Sequence, residues 1–408
     1  MKLTEKHIIN LSHPLYKECD KLCFASKNIY NSCLYTIKQH NLKYNNFDIL
    51  ADLYNHIKIL ECYAYLPPKV AQQTIRLAQK TYKSFFALLK AKKQGKLQEG
   101  TFVGEPKYLN KKHGRQVAEY NNQTISKKVF QKAHKVKLTQ CSIEVNTKIE
   151  NFDSIDYVRI VPMNDAYCIE VVYTVEDVKP IRANNSYAGI DLGINNLAAV
   201  AFNDSSKKPF LINGRPLKSI NQYYNKKLAK LRSKVAKCKY KSSHKIKKLC
   251  NKRNNKVNNF LHKASRLIVN KLVSEGVFCL VIGKNDYWKQ NANIGKINNQ
   301  NFVDIPHSRF VDMLTYKCER VGIRVVVVNE SHTSKCSFLD NETVEHHDKY
   351  IGSRIKRGLF KSSKGLLINA DINGALNIIR KAAPRAFQME CDGVEGFVVN
   401  PSNINVEK

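Results

Sequence analysis

Residues 188–202 read AGIDLGINNLAAVAF, and this stretch decides the fold of the C-terminal half of the chain. Its first part is an apolar, glycine-flanked run that ends in a turn just after Asp191, which is typical of a buried strand. Asn196 to Phe202 and Pro209 to Ile212 then predict two further short strands. Three short strands so close together in the chain predict a meander.

Helices and strands alternate after this meander. Long helices come first, and the later elements are a strand at Val277 to Ile282, a helix near Val303 to Glu319, a strand at Ile323 to Val328 and a helix from about Asp371 to Lys381. Three early strands followed by alternating helices and strands are the order of an RNase H-like fold. We therefore expect an RNase H-like domain of α/β class.

Two aspartates stand where this pattern predicts chemistry. Asp191 closes a buried strand, where an ionised carboxylate is costly unless it binds a cation. Asp371 begins the last helix, and taken alone it is compatible with an ordinary helix N-cap. Carboxylates that converge in this way can hold two Mg²⁺ ions, which flank a phosphate, activate water and stabilise the leaving oxygen. The pattern therefore predicts phosphodiester chemistry.

The 70 residues from Ser205 to Ser274 contain 21 Lys or Arg and no Asp or Glu. At the average of the chain, about six acidic residues would be expected. A solvated helix normally carries Glu–Lys pairs, so a one-signed helix pair repels itself unless a polyanion neutralises it. We expect this stretch to contact nucleic acid, through basic residues that include Lys226, Lys230, Lys234, Lys241, Lys248 and Arg253.

The first third of the chain predicts helices. Leu15 to Gln39 and Val70 to Leu89 carry apolar residues at helical spacing, and the second helix follows Pro67 and Pro68. Its opposite face is basic and includes Lys80 and Lys83. A basic face can be merely solvated, but it can also lie on phosphates.

From about Gly100 to Val178 the pattern changes to that of strands. They are predicted at Ser142 to Val145, Ile155 to Val161 and Tyr167 to Val175. These strands predict a small β-barrel with a basic rim. We expect its first strand at Lys2 to Ile9, with the helical region inserted between.

The composition limits the class of protein. The 408 residues include 68 Lys or Arg and 34 Asp or Glu, which gives a net charge of +34. This charge argues against an enzyme of small metabolites and favours a nucleic-acid partner, although a protein that is merely basic is the alternative. We expect neither a secretory signal nor a membrane-spanning segment, and the twelve cysteines are scattered without C-x-x-C spacing. We expect reduced thiols in a cytoplasmic protein, nucleoid-associated in a prokaryote.

Several stretches resemble the transposon-encoded TnpB (OrfB) family of RuvC-type nucleases, which is ancestral to the type V CRISPR effectors. They are LPPKVAQQTIRLAQKTYKSFF at 66–86, GEPKY at 104–108, GIDLGINNLAAVAF at 189–202, NESHTSKCSFLD at 329–340 and GLLINADINGALNIIRKA at 365–382. The resemblance implies a guide RNA from the transposon end, which pairs with double-stranded target DNA beside a short adjacent motif. It leaves open whether the protein is a monomer or a dimer.

The resemblance also implies a division of the chain into domains. Residues 1–12 and 100–180 would form a wedge-type β-barrel, and residues 13–99 a helical recognition lobe inserted in it. Residues 186–408 would form the RuvC nuclease. Within it, residues 331–365 would be a target-loading insert.

The first departure from the family concerns the second catalytic carboxylate. The family's glutamate follows the strand that ends at Ile282, and that position holds Gly283. A subset of the family has this glutamate displaced to the end of the next strand, which here is Glu330. We expect Asp191, Glu330 and Asp371 to be both the catalytic residues and the metal ligands, for two Mg²⁺ or Mn²⁺ ions. Asp286 is the rival for the role of Glu330.

The second departure concerns the zinc knuckle. Thr333 to Cys336 begins it, but Leu339 stands in place of the second cysteine and no further pair follows. A structural zinc site needs four ligands, so no structural zinc is expected. In its place we expect Arg354 and Arg357 to contact the single strand that is fed to the nuclease.

Three functions remain open at this point. The first is a metal-dependent, RNA-guided DNA endonuclease, and Asp191, Glu330 and Asp371 favour it. The second is a cleavage-dead, RNA-guided DNA-binding repressor of the same descent, which Gly283 favours. The third is a DDE-type transposase, which would not explain the acid-free helices.

Overall fold

The structure, a computed structural model, describes residues 1–39, 49–285, 300, 303–387 and 401–406. The chain forms two compact units, Met1–Glu176 and Asp177–Lys408, and each has an apolar core of its own. Within these described ranges, no helix has the length and apolarity needed to cross a bilayer.

The first unit combines helices with short strands. In chain order its elements are β1 (Lys2–Asn10), α1 (Tyr16–Gln39), α2 (Ile49–Ile57), α3 (Glu61–Ala64), α4 (Pro68–Lys93), β2 (Ala118–Asn121), α5 (Lys127–Ala133), β3 (Lys135–Lys137), β4 (Glu144–Asn146), β5 (Ile155–Met163) and β6 (Ala166–Thr174). The helix α4 begins at Pro68 because proline fits the first turn, where its missing N–H is not needed.

The strands of the first unit form a sheet in the order β1-β6-β5-β2, and β3 and β4 form a separate ribbon. The prediction that the chain start joins the later strands is confirmed, because β1 pairs with β6 along its whole length. The small β-barrel is not confirmed: within the described residues the sheet stays open at β1 and β2. Four strands are too few to close around a core. The helices α1 and α4 pack on the sheet instead.

The second unit is an α/β unit, as the sequence predicts. Its elements are β7 (Tyr187–Leu192), β8 (Asn196–Phe202), β9 (Phe210–Asn213), α6 (Arg215–Lys237), α7 (His244–Ser274), β10 (Cys279–Gly283), α8 (His307–Glu319), β11 (Arg324–Val328), β12 (Ser353–Lys356), β13 (Leu359–Lys361), β14 (Leu367–Asn369), α9 (Ala370–Ala382) and β15 (Ser402–Ile404). The acid-free stretch forms the helix pair α6 and α7.

Six strands of the second unit form a sheet in the order β11-β10-β7-β8-β9-β15. The predicted meander is confirmed, because β7, β8 and β9 are antiparallel neighbours. The strands β10 and β11 add in parallel on the other side of β7. The helix α9 packs across β7, β8 and β10. The carboxyl ends of β7, β10 and β11 therefore meet at one edge of the sheet, beside the start of α9.

The segment between β11 and α9 contains a small sheet that the sequence did not predict. Its strands β12, β13 and β14 are antiparallel, and Phe360 and Ile368 face each other in it. Both side chains are buried in an apolar cluster with residues of α9. The sequence analysis missed these strands because each has only three or four residues, too few to show an alternation of apolar and polar side chains.

Candidate active site

Asp191 and the start of α9 are in close contact. Asp191 lies one residue before the end of β7, opposite Ala199 of β8. A Cβ atom added to Gly374, in the first turns of α9, would lie 2.8 Å from Asp191 Oδ2. Glycine at this position therefore allows the helix to approach the Asp191 carboxylate.

Asp371 is held by neighbours on both of its oxygens. Asn196 Nδ2 donates to Asp371 Oδ2 at 2.7 Å, and Arg354 Nη2 lies 3.6 Å from Asp371 Oδ1. Asp371 is not the helix N-cap, because Asn369 Oδ1 accepts from the backbone N–H groups of Asp371 and Ile372. The carboxylate of Asp371 is thus available for another role.

Glu330 follows the end of β11 by two residues. Asn285 holds it twice: Asn285 Nδ2 donates to Glu330 Oε1 at 3.3 Å, and Glu330 N donates to Asn285 Oδ1 at 3.0 Å. Glu330 Oε2 is buried, and no described group forms a hydrogen bond with it. An unpartnered buried carboxylate oxygen is costly, which suggests a missing cation or proton.

Gly283 lies directly beside Glu330. A Cβ atom added to Gly283 would lie 3.2 Å from Glu330 Cβ, and it would collide with the Ile378 side chain of α9. Glu330 thus begins next to the place where a side chain at position 283 would begin. A glutamate could not replace Gly283 here unless Ile378 moved.

The charges of the three carboxylates act on one another. Burial raises the pKa of Asp191 well above its ordinary value, and the nearby charges of Asp371 and Glu330 raise it further. Burial also raises the pKa of Glu330, to about 7. A divalent cation would offset this repulsion and would supply the missing partner of Glu330 Oε2.

The donor set fits a hard divalent cation, because Mg²⁺ and Mn²⁺ prefer carboxylate oxygens. In the part of the chain that the structure describes, however, no three His, Cys, Asp or Glu side chains form a group placed to hold a metal ion. Asp191, Glu330 and Asp371 lie near one another at one edge of the sheet, close enough for the charges of the other two to act on Asp191. Their carboxylates are not close enough together to form a preformed metal site. Asp286, the rival of Glu330, lies outside the described residues.

Two polar residues of this edge were missed by the sequence analysis. Asn196 holds Asp371, and Asn285 holds Glu330. The available signal was their position, since Asn196 begins β8 and Asn285 follows the end of β10 by two residues. A polar residue at the end of a buried strand needs a partner, and these two find it in a carboxylate.

The predicted nucleic-acid contacts lie mostly on exposed surfaces. The lysines are exposed at Lys80 and Lys83 of α4, at Lys226, Lys230 and Lys234 of α6, at Lys241 between the helices and at Lys248 of α7. Arg354 and Arg357 are exposed at the β12–β13 hairpin, and Arg354 pairs with Asp371.

Arg253 is committed within the protein. Its Nε donates to Asn221 Oδ1 at 2.8 Å, its Nη2 to Asp304 O at 2.6 Å and its Nη1 to Asn254 Oδ1 at 3.1 Å. All three nitrogens of the guanidinium are thus occupied. Arg253 ties α6 and α7 to the segment before α8, which a count of basic residues could not show.

The segment between β11 and α9 is held by a polar network. The buried Glu342 carboxylate accepts from Ser337 N at 2.6 Å and from Ile351 N at 2.9 Å. From α9, Asn377 Nδ2 donates to Cys336 O at 2.8 Å, and Arg380 donates to Phe338 O at 3.0 Å. These bonds tie the loop together and fasten it to α9.

We expect Glu342→Ala to lower the free energy of unfolding by about 1–3 kcal/mol, because it leaves two backbone N–H groups without their acceptor. Thermal unfolding and limited trypsin digestion within residues 336–362 would measure this loss. Glu345→Ala is the matched control, since Glu345 is exposed and its carboxylate accepts only from a neighbouring threonine. Equal stability of the two variants would contradict the role of Glu342.

Two sequence families match the second half of the chain. The family OrfB_IS605, described as probable transposase, matches residues 170–288. The family Cas12f1-like, TNB domain, matches residues 307–378. The two matched ranges contain Asp191, Glu330 and Asp371.

Two curated proteins are similar over about half of the chain. The CRISPR-associated endodeoxyribonuclease Cas12f2 of Micrarchaeota archaeon (strain CG1_02_47_40) is 29% identical over 239 residues, which are 55% of this chain and 42% of that protein. The TnpB-like protein ORF457 of Acidianus two-tailed virus is 25% identical over 220 residues, which are 51% and 44% of the two chains. The aligned part thus spans less than half the length of either relative.

Solved structures of RNA-guided nucleases are similar over most of the chain, but weakly. A Cas12f1–sgRNA–target DNA complex has 16% identity and a TM-score of 0.37, and the alignment covers 92% of this chain and 98% of that one. The mini-RNA-guided endonuclease CRISPR-Cas_phi3 has 13% identity and a TM-score of 0.43, with 98% and 93% covered. Two separate parts of the second unit thus match the OrfB_IS605 family and the Cas12f1-like TNB domain, and about half of the chain is similar to a Cas12f2 endodeoxyribonuclease and to a TnpB-like protein.

Proposed function

We propose that the protein is an RNA-guided DNA endonuclease of transposon origin, which cleaves guide-matched DNA beside a short adjacent motif. The observation that carries this proposal is the convergence of Asp191, Glu330 and Asp371 at one edge of the sheet, with Glu330 Oε2 buried and unpartnered among the described residues. Three carboxylates close together in a partly buried place repel one another and need a cationic partner.

We further propose that the three carboxylates hold two Mg²⁺ or Mn²⁺ ions. Bound there, such ions would activate a water molecule and stabilise the leaving oxygen of a phosphodiester. The surrounding residues have distinct tasks: Asn196 orients Asp371, and Arg354 neutralises it. Because Arg354 is exposed on a hairpin, its guanidinium can exchange Asp371 for a phosphate of the substrate strand.

Nucleic-acid binding is assigned to the exposed basic surfaces. We propose that Lys226, Lys230, Lys234, Lys241 and Lys248 contact phosphates of the guide–target duplex, together with Lys80 and Lys83 of α4. Arg354 and Arg357 would contact the single strand at the nuclease. Arg253 is left out of this set because its guanidinium is engaged within the protein.

We propose for the parts of the chain the domain roles that the family resemblance implies. Residues 13–99 would form the recognition lobe and residues 1–12 with 100–180 the wedge domain, built here on an open sheet. Residues 186–408 would form the RuvC nuclease, and residues 331–365 would load the target strand without a zinc ion.

A cleavage-dead, RNA-guided repressor is the second candidate. Two observations favour it: the described residues contain no preformed group of metal ligands, and Arg354 already pairs with Asp371. Both functions need the guide RNA, and only the nuclease cuts. Guided cleavage by the wild-type protein therefore separates them.

We expect the protein to copurify with one defined RNA when it is expressed with its native 3′ flank. The bound RNA would be sequenced, reprogrammed and used to direct cleavage of a plasmid carrying the matching target in Mg²⁺ and in EDTA. Cleavage in Mg²⁺ alone supports the nuclease. Binding without cleavage in any divalent metal supports the repressor, and random host RNA in the preparation would contradict both.

The affinity for RNA should fall steeply with salt, because phosphate contacts release counterions. We expect the triple variant Lys226→Ala, Lys230→Ala, Lys234→Ala to reduce the slope of log Kd against log salt by about two to three, since each lost contact removes about one. Filter binding at several salt concentrations measures it. The control carries Lys17→Ala and Lys21→Ala on α1, both exposed. An unchanged slope in the triple variant would contradict the assigned surface.

A further inference from the structure

Glu330 needs a device that fixes its side chain. It lies two residues beyond the end of β11, so the hydrogen-bonding register of the sheet does not hold it. The pairing with β10 extends by one further bond, from Lys284 N to Val328 O at 2.9 Å. A free glutamate side chain loses conformational entropy when it is fixed, so a group that orients it in advance favours ligand binding.

Asn285, the residue after that last bond, reaches both parts of Glu330. Its Oδ1 accepts from Glu330 N at 3.0 Å, and its Nδ2 donates to Glu330 Oε1 at 3.3 Å. One amide side chain therefore fixes where the glutamate begins and how its carboxylate is turned. With Oε1 bound in this way, Oε2 is the oxygen left without a partner among the described residues.

We propose that Asn285 is a positioning residue, which turns the Glu330 carboxylate so that Oε2 is presented to a divalent cation. The inference rests on the proposed function, because it takes Glu330 as a ligand. Asn285 lies two residues after Gly283, the position where the family has its glutamate. The loop that lacks this glutamate thus supplies the residue that orients Glu330, which takes its place.

The test measures Mn²⁺ binding directly, by the electron paramagnetic resonance signal of free Mn²⁺ titrated into the 408-residue chain. We expect Asn285→Ala to weaken Mn²⁺ binding by about 10- to 100-fold, the usual effect of losing a group that orients a ligand. We expect cleavage by the guide complex to need correspondingly more Mn²⁺ and to recover most of its rate at saturation. Glu330→Gln should not recover.

Asn329→Ala is the matched control, because Asn329 is exposed in the same loop and its Oδ1 accepts only from Ser331 N. Thermal unfolding confirms that each variant folds, and Asn285→Ser, whose side chain is too short for the carboxylate, replaces Asn285→Ala if that variant does not. Wild-type Mn²⁺ affinity in the Asn285 variants would overturn the inference, as would an equal loss in Asn329→Ala.

The two possible failures give different results. If the proposed function is wrong, the wild type itself shows no Mn²⁺ binding that depends on Glu330, and the inference falls with it. If only the inference is wrong, the wild type binds Mn²⁺, Glu330→Gln loses it and the Asn285 variants bind like the wild type.

Discussion

Replacing Asp191 by asparagine is expected to lower the rate of guided cleavage by at least about 1,000-fold, because a metal-ligand charge supplies several kcal/mol of transition-state stabilisation. Guided DNA binding should stay unchanged, since Asp191 is a strand residue and does not belong to the basic surfaces assigned to binding. Single-turnover cleavage and gel-shift assays with the same guide complex measure the two effects. Asp371→Asn should behave in the same way.

The Asp191→Asn variant should also be more stable than the wild type in EDTA at neutral pH. Burial and the charges of Asp371 and Glu330 raise the pKa of Asp191, so its ionised form destabilises the metal-free fold. Asparagine has the same shape and removes that charge. We therefore expect a higher Tm together with the loss of cleavage.

Asp312→Asn is the control for both measurements. Asp312 is an exposed carboxylate on α8, in the same unit but outside the converging set. It should change neither the cleavage rate nor the Tm. Robust cleavage by Asp191→Asn would refute the site, and a Tm equal to that of the wild type would refute the electrostatic account of it.

Replacing Glu330 by glutamine is expected to stop cleavage as completely as replacing Asp191, while guided binding survives. Glutamine retains the oxygen that accepts from Asn285 Nδ2 and loses only the charge. A loss of cleavage would therefore report the charge and not a displaced loop. Asp286→Asn is the matched comparison and should be mild; the reverse outcome would transfer the role to Asp286.

The raised pKa of Glu330 also predicts that the stability of the metal-free protein depends on pH. Its pKa is about 7 in the folded chain, against an ordinary value of 4.5. The folded state therefore binds more protons than the unfolded state between these values, and stability falls as the pH rises through that window. Relative to Glu330→Gln, the wild type in EDTA should lose stability from pH 4.5 to 7 and stay lower above it. Parallel curves for the two proteins would contradict the raised pKa.

The sequence predicted where two of the site carboxylates lie, because these residues stand at the ends of regular helices and strands. Asp191 ends a strand and Asp371 begins a helix, and the meander fixes where both come to lie. The helix pair α6 and α7 was equally visible, since the absence of acidic residues is a property of composition. The open sheet of the first unit was not predicted, because alternating strands do not reveal whether a sheet closes.

The sequence could not show which polar groups pair across long separations. The contacts of Asn285 with Glu330 and of Arg354 with Asp371 join residues that are 45 and 17 positions apart. Arg253 looked like one more phosphate contact, and only the path of the chain near Asp304 shows that it is occupied. Gly283 looked like a loss of function, and the structure shows that the space beside it is filled by Glu330 and Ile378.

The helix α9 carries Asp371 in its first turn. Farther along, Asn373, Asn377 and Arg380 donate hydrogen bonds to the backbone carbonyls of Cys336 and Phe338. These three residues recur at intervals of four and three, so they lie on one side of the helix. A displacement of Cys336 and Phe338 would therefore act on the helix that carries Asp371, one of the proposed metal ligands. If a bound strand displaced these residues, α9 and Asp371 would move with them, which would couple strand binding to the position of the Asp371 carboxylate.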